Sequence, residues 1–265
     1  MLENKIIFQT TEPFFSDKSI RPEPAKIFIP DWYKNLQSYQ GETSAITLKM
    51  CMPFLDAISM GYIIKMPHEY EINHMQYNPH VKDAPKETWV RSIRTSDHFG
   101  ISSSKETHSI EQLGGEKGEC PFIKQNSYQP IIKLLNPWVI KLPKGYSALF
   151  LPPINNENQN FFPISGVVDC DVFETPVNFP IVIKKQKTFL IKKGEPIATV
   201  IPFKREGWKS KFERIEPEDI NKSMWKLISR LDKAYKTLFR VGLQYISSIF
   251  IVNSNYLTIS NCCPI

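Results

Sequence analysis

The sequence has few glycines and lacks the C-x-x-C spacing of many redox and metal sites. Only 11 of its 265 residues are glycine, against 21 prolines, a balance that favours short strands with rigid connections over long helices. No two of the five cysteines form a C-x-x-C pair, and the segment MLENKIIFQT lacks the basic and apolar regions of a signal peptide. We therefore expect a reduced, cytoplasmic protein.

Long apolar runs and dense basic clusters are also missing. No stretch of 18 apolar residues occurs, which predicts the absence of a transmembrane helix. The net charge is +6, but the lysines are scattered, so a solvated surface is favoured over a nucleic-acid interface. Residues 241–265 contain no Asp, Glu, Lys or Arg. This uncharged tail is either a partner-binding segment or an end without a specific role.

The pattern of apolar, polar and turn-forming residues along the chain predicts four parts. Residues 128–206 consist of short β-branched or aromatic runs separated by Pro, Gly and Asn, which predicts a compact β unit. Residues 1–127 are interpreted as an α+β portion with a polar loop region, in which Gly61 ends a short helix and a strand follows. Within 207–240, apolar residues recur every three or four positions from 217 onwards, which predicts an amphipathic helix ahead of the tail. The fold class expected is mainly β (α+β).

Two acidic residues in the β unit are the candidates for chemistry. Asp169 and Asp171 follow a glycine and two valines in the segment GVVDCD, residues 166–171. An aspartate on a rigid hairpin can orient a water molecule for attack, or hold a sugar hydroxyl as a charged acceptor. The same residues are also typical of a turn whose aspartates cap the backbone and face solvent. The basic pairs near the strands, among them Lys204-Arg205, either steer a phosphate ligand or protect strand edges.

The β unit resembles the dUTPase and dCTP deaminase superfamily, which has a β-clip fold. Residues 166–171 match the family pattern G-x-[IV]-D-x-D, and GEPIATVI at 194–201 matches G-[DE]-x-I-A-Q-[LI] with Thr199 in place of Gln and Val200 in place of Leu or Ile. The resemblance implies a β-clip-like unit and assembly into a trimer. It also implies that the chain binds a pyrimidine nucleotide and, if it is an enzyme, that it is a nucleoside triphosphate pyrophosphatase that uses Mg²⁺. In this interpretation Asp169 is the catalytic, water-orienting base, and the substrate-binding residues are Gly166, Val168, Asp171 and Phe173.

The same resemblance is incomplete where phosphate would bind. The family has an Arg- and Ser-containing segment before the hairpin, whereas residues 151–160 read LPPINNENQN, without Arg, Ser or Gly. Val172 stands where the family has a sugar-stacking aromatic, and Phe173 comes one residue late. No H-x-E…C-x-x-C zinc-deaminase pattern occurs. We therefore expect the fold without the full catalysis, and no cofactor unless the chain hydrolyses nucleotides.

A wider resemblance leads to the first of three functional hypotheses. The segments IPDWYKNL, NPWVIKLPKGYSALFLPP and PIATVIPFKREGW resemble a protein family of marine phages and their bacterial hosts, which implies the cytoplasm of a host cell but no activity. The first hypothesis is a phage-type binding or structural module on a degenerate dUTPase-like scaffold. The second is a pyrimidine-nucleotide-binding or nucleotide-hydrolysing enzyme.

The third hypothesis is a metal-dependent, oxygenase-like β protein that uses loop histidines. Such a site needs two or three histidines to converge, and the spacing found here does not fit the usual H-x-[DE] pattern. We therefore assign no metal site. The five histidines are His68, His74, His80, His98 and His108.

Overall fold

The computed structural model describes residues 5–41, 45–74, 89–92, 107–108, 112, 120–125, 131–184 and 187–228. Over these ranges the chain is mainly β, and all the strand pairs are antiparallel, which confirms the predicted fold class. None of the helices in these ranges is both long and apolar enough to cross a bilayer. The uncharged tail and residues 229–240 of the predicted helix lie outside the described residues.

The helices are short, and the strands rarely exceed six residues. The helices are α1 (Asp31–Lys34), α2 (Met52–Ile58), α3 (Pro121–Gln125) and α4 (Pro217–Ile228). The strands up to residue 108 are β1 (Ile7–Gln9), β2 (Glu23–Pro24), β3 (Tyr39–Gln40), β4 (Ala45–Ile46), β5 (Tyr62–Lys65), β6 (Tyr70–His74), β7 (Trp89–Ser92) and β8 (Thr107–His108). The later strands are β9 (Ile131–Leu134), β10 (Val139–Lys141), β11 (Tyr146–Leu151), β12 (Phe161–Pro163), β13 (Gly166–Val168), β14 (Phe179–Ile183), β15 (Lys187–Ile191) and β16 (Pro196–Lys204).

The strands form three sheets and two isolated pairs. The largest sheet has the order β13-β11-β16-β5-β2, the second β12-β14-β9-β8 and the third β15-β6-β7, while β1 pairs with β10 and β3 with β4. Strands from both sides of residue 128 share all three sheets. The predicted division into an N-terminal portion and a β unit therefore does not coincide with the sheets.

The chain divides into two compact units. The first comprises residues 1–31 and 56–206 and contains the three sheets. Its core lies between sheets: Phe150 of β11 and Phe179 of β14 bring their rings to 5.8 Å, and the rings of Phe161 and Phe189 stack at 6.2 Å. Burial of such large apolar side chains is the main source of stability in an interior of this kind.

The turn between α2 and β5 shows how closely the backbone packs in this unit. Gly61 has φ +74°, and a Cβ built on it would lie 2.2 Å from the carbonyl oxygen of Val200 in β16. Only glycine fits both the left-handed conformation and the contact. The predicted helix and the strand that follows Gly61 are both present, but the helix ends at Ile58, three residues before the glycine that was expected to end it.

The second unit comprises residues 32–55 and 207–265. In its first segment the rings of Tyr33 and Phe54 stack at 5.3 Å, and Lys49 Nζ donates to the carbonyl oxygens of Tyr33 and Lys34 at 3.1 and 2.9 Å. Helix α4 begins at Pro217, as predicted, and carries Glu218 and Asp219 in its first turn, where the helix dipole favours negative charge.

Candidate functional site

The segment GVVDCD forms β13 and the turn that follows it. Strand β13 is an edge strand whose Val167 lies opposite Leu149 of β11 and whose Val168 lies opposite Ala148. After Asp169 the chain turns, because the backbone N–H groups of Val172 and Phe173 both donate to the Asp169 carbonyl oxygen at 3.0 and 2.9 Å. This turn separates the environments of the two aspartates.

Asp171 is held entirely by the protein. The backbone N–H of Gly145 donates to its Oδ2 at 2.8 Å, and Arg205 Nη1 donates to its Oδ1 at 2.9 Å. Arg205 Nη2 also donates to Oδ2, which completes a bidentate pair. The Asp171 side chain is 4% exposed. The second acid of the segment therefore ties the turn to the ends of β11 and β16.

Asp169 lies beside this pair but faces solvent. Ser147 Oγ donates to its Oδ1 at 2.5 Å, and Arg205 Nη1 lies 3.2 Å from the same oxygen. The side chain is 54% exposed, against 37% for Arg205. We call Ser147, Asp169, Asp171 and Arg205 the Asp–Arg cluster.

The electrostatics of the cluster follow from these contacts. The hydrogen bonds from the Arg205 guanidinium and from the Gly145 amide lower the pKa of Asp171 from 3.8 to about 2, and Asp171 in turn raises the pKa of Arg205. Cys170, between the aspartates, is buried, and this burial raises the pKa of its thiol to about 11. Cys170 is therefore a neutral core residue rather than a nucleophile.

The remaining predicted substrate-binding residues have different surroundings. Val168 packs against the core of the first unit, so its side chain does not reach solvent freely. Gly166 is exposed, with open space where a side chain would extend. Phe173 is exposed in the turn, as is Val172. The turn thus brings Asp169 and Asp171 together near one arginine, while Val168 points to the other side of the strand.

The 151–160 loop offers little to a phosphate group. Asn158 donates its side-chain amide to Glu195 Oε1 at 2.5 Å, and its own Oδ1 accepts the backbone N–H of Asn160 at 2.7 Å. Lys184 Nζ is bonded to Glu157 Oε2 at 3.0 Å. Asn158 of this loop and the neighbouring cation Lys184 are therefore engaged by protein groups.

The structure describes the side chain of one of the five histidines. His68 is buried, with its ring in edge contact with Phe14 at 5.5 Å and Tyr70 at 6.3 Å. The side chains of the other four histidines lie outside the described residues. Among the residues that the structure describes, no three His, Cys, Asp or Glu side chains are placed to hold a metal ion.

The Mg²⁺ that the dUTPase resemblance implies fits the two aspartates poorly. Both carboxylate oxygens of Asp171 already accept hydrogen bonds from Arg205 and Gly145. The Arg205 guanidinium would also repel a cation at this place. We therefore derive no catalytic step through a protein-held metal ion.

The outer face of the largest sheet carries an apolar strip next to the cluster. Register places Val167, Leu149 and Ile201 side by side on one face, with Phe203 two residues further along β16. Val167 is 58% exposed and Phe203 38%, and the other two are half-buried. We call these four residues the outer-face strip. An exposed group of apolar side chains beside charged ones is typical of an interaction surface.

Comparison of the chain with protein-family models, with curated proteins and with solved structures finds no match in any of the three.

Three members of the site were not predicted as such from sequence. The sequence marks Arg205 only as one of several basic residues near strand ends, and it carries no motif that points to Ser147 or Gly145. One signal is present in the sequence: a buried acid needs hydrogen-bond donors, and the segment LPKGYS supplies a glycine turn just before β11. That β11 and β16 would run side by side is a property of the sheet, which the local sequence does not contain.

Proposed function

We propose that this chain is a binding or structural module, whose interaction surface is the outer face formed by β13, β11 and β16. The observation that carries the proposal is the saturation of Asp171 by Arg205 and Gly145. The second acid of the dUTPase-like segment and the nearest arginine neutralise each other. Neither is then available as a free charge for a nucleotide.

The outer-face strip supports the same function. Its most exposed member, Val167, lies on an edge strand, where backbone and side chain are both accessible. The exposed Val172 and Phe173 in the following turn add apolar surface near the end of that strand. Exposed apolar residues of this density are favourable in a contact and unfavourable in water.

The test is a thermal-shift screen of the full chain against nucleoside mono-, di- and triphosphates, each with and without Mg²⁺. A nucleotide at 100 times its Kd would stabilise the fold by about 2.7 kcal/mol, or by a few degrees in Tm. We expect no shift with any of them. A shift with dUTP or dCTP would overturn the proposed function.

A second candidate is a pyrimidine-nucleotide hydrolase in which Asp169 is the base. It is favoured by one observation: the Asp169 side chain is 54% exposed, with its Oδ1 held in place by Ser147. This candidate predicts hydrolysis of dUTP to dUMP and pyrophosphate in the presence of Mg²⁺.

The test of this candidate is the change Asp169→Asn, assayed by release of pyrophosphate. The variant keeps the size of the side chain and removes the charge, so the candidate requires loss of turnover without a change in circular dichroism. Absence of turnover in the unmodified chain would exclude the candidate, and Ser147→Ala is the matched control for the loss of the hydrogen bond alone.

A further inference from the structure

Among the strands that the structure describes, β13 is an edge of the largest sheet. The opposite edge, β2, consists of Glu23 and Pro24, and proline has no N–H to offer to an added strand. In contrast, residues 165–169 read SGVVD and contain neither proline nor lysine, the two residues that most often protect an edge. The two edges of one sheet thus differ in their ability to accept another strand.

The side chains along this edge alternate in a regular way. Ser165, Val167 and Asp169 are all exposed and lie on the outer face, because they are spaced two residues apart. Between them, Gly166 has no side chain and Val168 packs on the core. The outer row therefore reads hydroxyl, apolar, carboxylate.

We propose that β13 pairs with β13 of a second copy of this chain, antiparallel and centred on Val167. This inference rests on the proposed binding function and identifies its partner. The pairing joins two five-stranded sheets into one, and the outer-face strips of the two copies become continuous across the junction. A contact of this kind is isologous, since the same surface serves on both sides.

The row of side chains is complementary to itself in this register. With Val167 opposite the partner's Val167, Ser165 lies opposite the partner's Asp169, and a hydroxyl donor then faces a carboxylate acceptor. On the inner face Gly166 lies opposite the partner's Val168, and a Cβ on Gly166 would meet nothing within 4 Å, so room is available. Each of these pairs occurs twice, because of the twofold symmetry.

The ordering of Asp169 adds to this complementarity. Its Oδ1 is fixed by Ser147 of the same copy. The exposed remainder of the carboxylate is therefore presented in one orientation, and little conformational entropy is lost when a second donor binds it. An edge of this length buries a small interface, so we expect a reversible dimer whose population depends on concentration.

The test is sedimentation velocity of the full chain over a wide range of concentration, with two charge variants at one exposed position. Ser165→Lys places a cation opposite the partner's Asp169 and strengthens the dimer, whereas Ser165→Asp places like charges opposite each other and weakens it. Because both changes act at two symmetric pairs, we expect the dimerisation constants to differ by about tenfold or more.

The net charge of the chain makes this comparison decisive. Two copies with a net charge of +6 repel each other, so an effect of overall charge alone would favour association of Ser165→Asp and oppose that of Ser165→Lys. This order is the reverse of the one expected from the pairing. Val167→Asp brings two carboxylates together at the centre and should abolish the dimer. The control Ile7→Asp alters an exposed apolar residue of β1, which pairs with β10 outside the largest sheet, and should leave the equilibrium unchanged.

Three results would overturn the pairing. The first is a chain that stays monomeric at every concentration, and the second is a dimer that Val167→Asp leaves intact. The third is a dimerisation constant that is higher for Ser165→Asp than for Ser165→Lys, as overall charge alone would give. Circular dichroism of each variant checks that the fold is kept. If the chain is monomeric and no nucleotide changes its Tm, a second copy is excluded as the partner, and the proposed binding or structural function is retained. A nucleotide-induced shift in Tm removes the module function whatever the oligomeric state.

Discussion

At the scale of single residues, Asp169 and Asp171 lie two positions apart and have different environments. Asp171 turns inward and accepts hydrogen bonds from a guanidinium and a backbone amide, while Asp169 stays at the surface beside Ser147. A charged group held by several donors stabilises the fold, whereas an exposed one contributes little. The turn at Asp169 creates this difference in environment, and its effect on the stability of the fold can be measured.

The first residue-scale prediction concerns Asp171→Asn. The amide cannot accept both Arg205 hydrogen bonds, so we expect a lower Tm than for Asp169→Asn, which removes an exposed charge. The pKa of Asp171 in the folded chain, about 2, lies below the ordinary 3.8, so its stabilisation is present above about pH 4 and is lost as pH falls through 2. Urea denaturation at several pH values should therefore show the difference between the unmodified chain and Asp171→Asn shrinking below pH 4. A difference independent of pH would contradict this assignment.

At the scale of elements, β16 organises the largest sheet. It pairs with β11 on one side and β5 on the other, and Ile197, Ala198 and Val200 are buried along it. Arg205 directly follows the C-terminal end of β16, and its backbone N–H donates to the Gly145 carbonyl oxygen at 2.8 Å. The strand that fills the core therefore also positions the cation of the Asp–Arg cluster.

The close contact between Gly61 and β16 leads to a prediction at this scale. Gly61→Ala introduces a Cβ into the Val200 carbonyl as well as a strained positive φ, so we expect a loss of at least about 3 kcal/mol in the free energy of unfolding. The matched control is Gly145→Ala, where φ is +85° but nothing lies within 4 Å of the added atom. For Gly145→Ala, backbone strain alone predicts a loss of about 1–2 kcal/mol in the free energy of unfolding. Equal losses in urea denaturation would show that the contact with β16 contributes nothing.

Elements were easier to predict from sequence than the site. The α2–Gly61–β5 order, the start of α4 and the strand-rich region after 128 all follow from local patterns of apolar residues, proline and glycine. The Asp–Arg cluster does not, because Ser147 and the neighbouring Gly145 lie 58 and 60 residues before Arg205 in sequence and meet it only through sheet register. The β-clip-like architecture and the trimer implied by resemblance stay predictions.

At the scale of the whole molecule, stability of the first unit depends on contacts between sheets. Phe179 of β14 is 2% exposed and packs on Phe150 of β11, so it joins the second sheet to the largest one. Phe179→Ala should lower the free energy of unfolding by about 3–5 kcal/mol, through lost burial and the cavity left behind. Phe173→Ala makes the same chemical change at an exposed turn position, and we expect it to stay within about 1 kcal/mol. Urea denaturation of both variants measures the comparison, and similar losses would contradict the proposed location of the core.

The pairing of β1 with β10 has a consequence for the time course of folding. Gln9 lies opposite Val139, so the two strands are separated by about 130 residues of chain. At the usual rate of protein synthesis, roughly ten seconds pass between the appearance of the first strand and that of its partner. During that interval Ile7 and Phe8 have no strand to pair with, and the apolar N-terminal segment is open to chaperones at the ribosome.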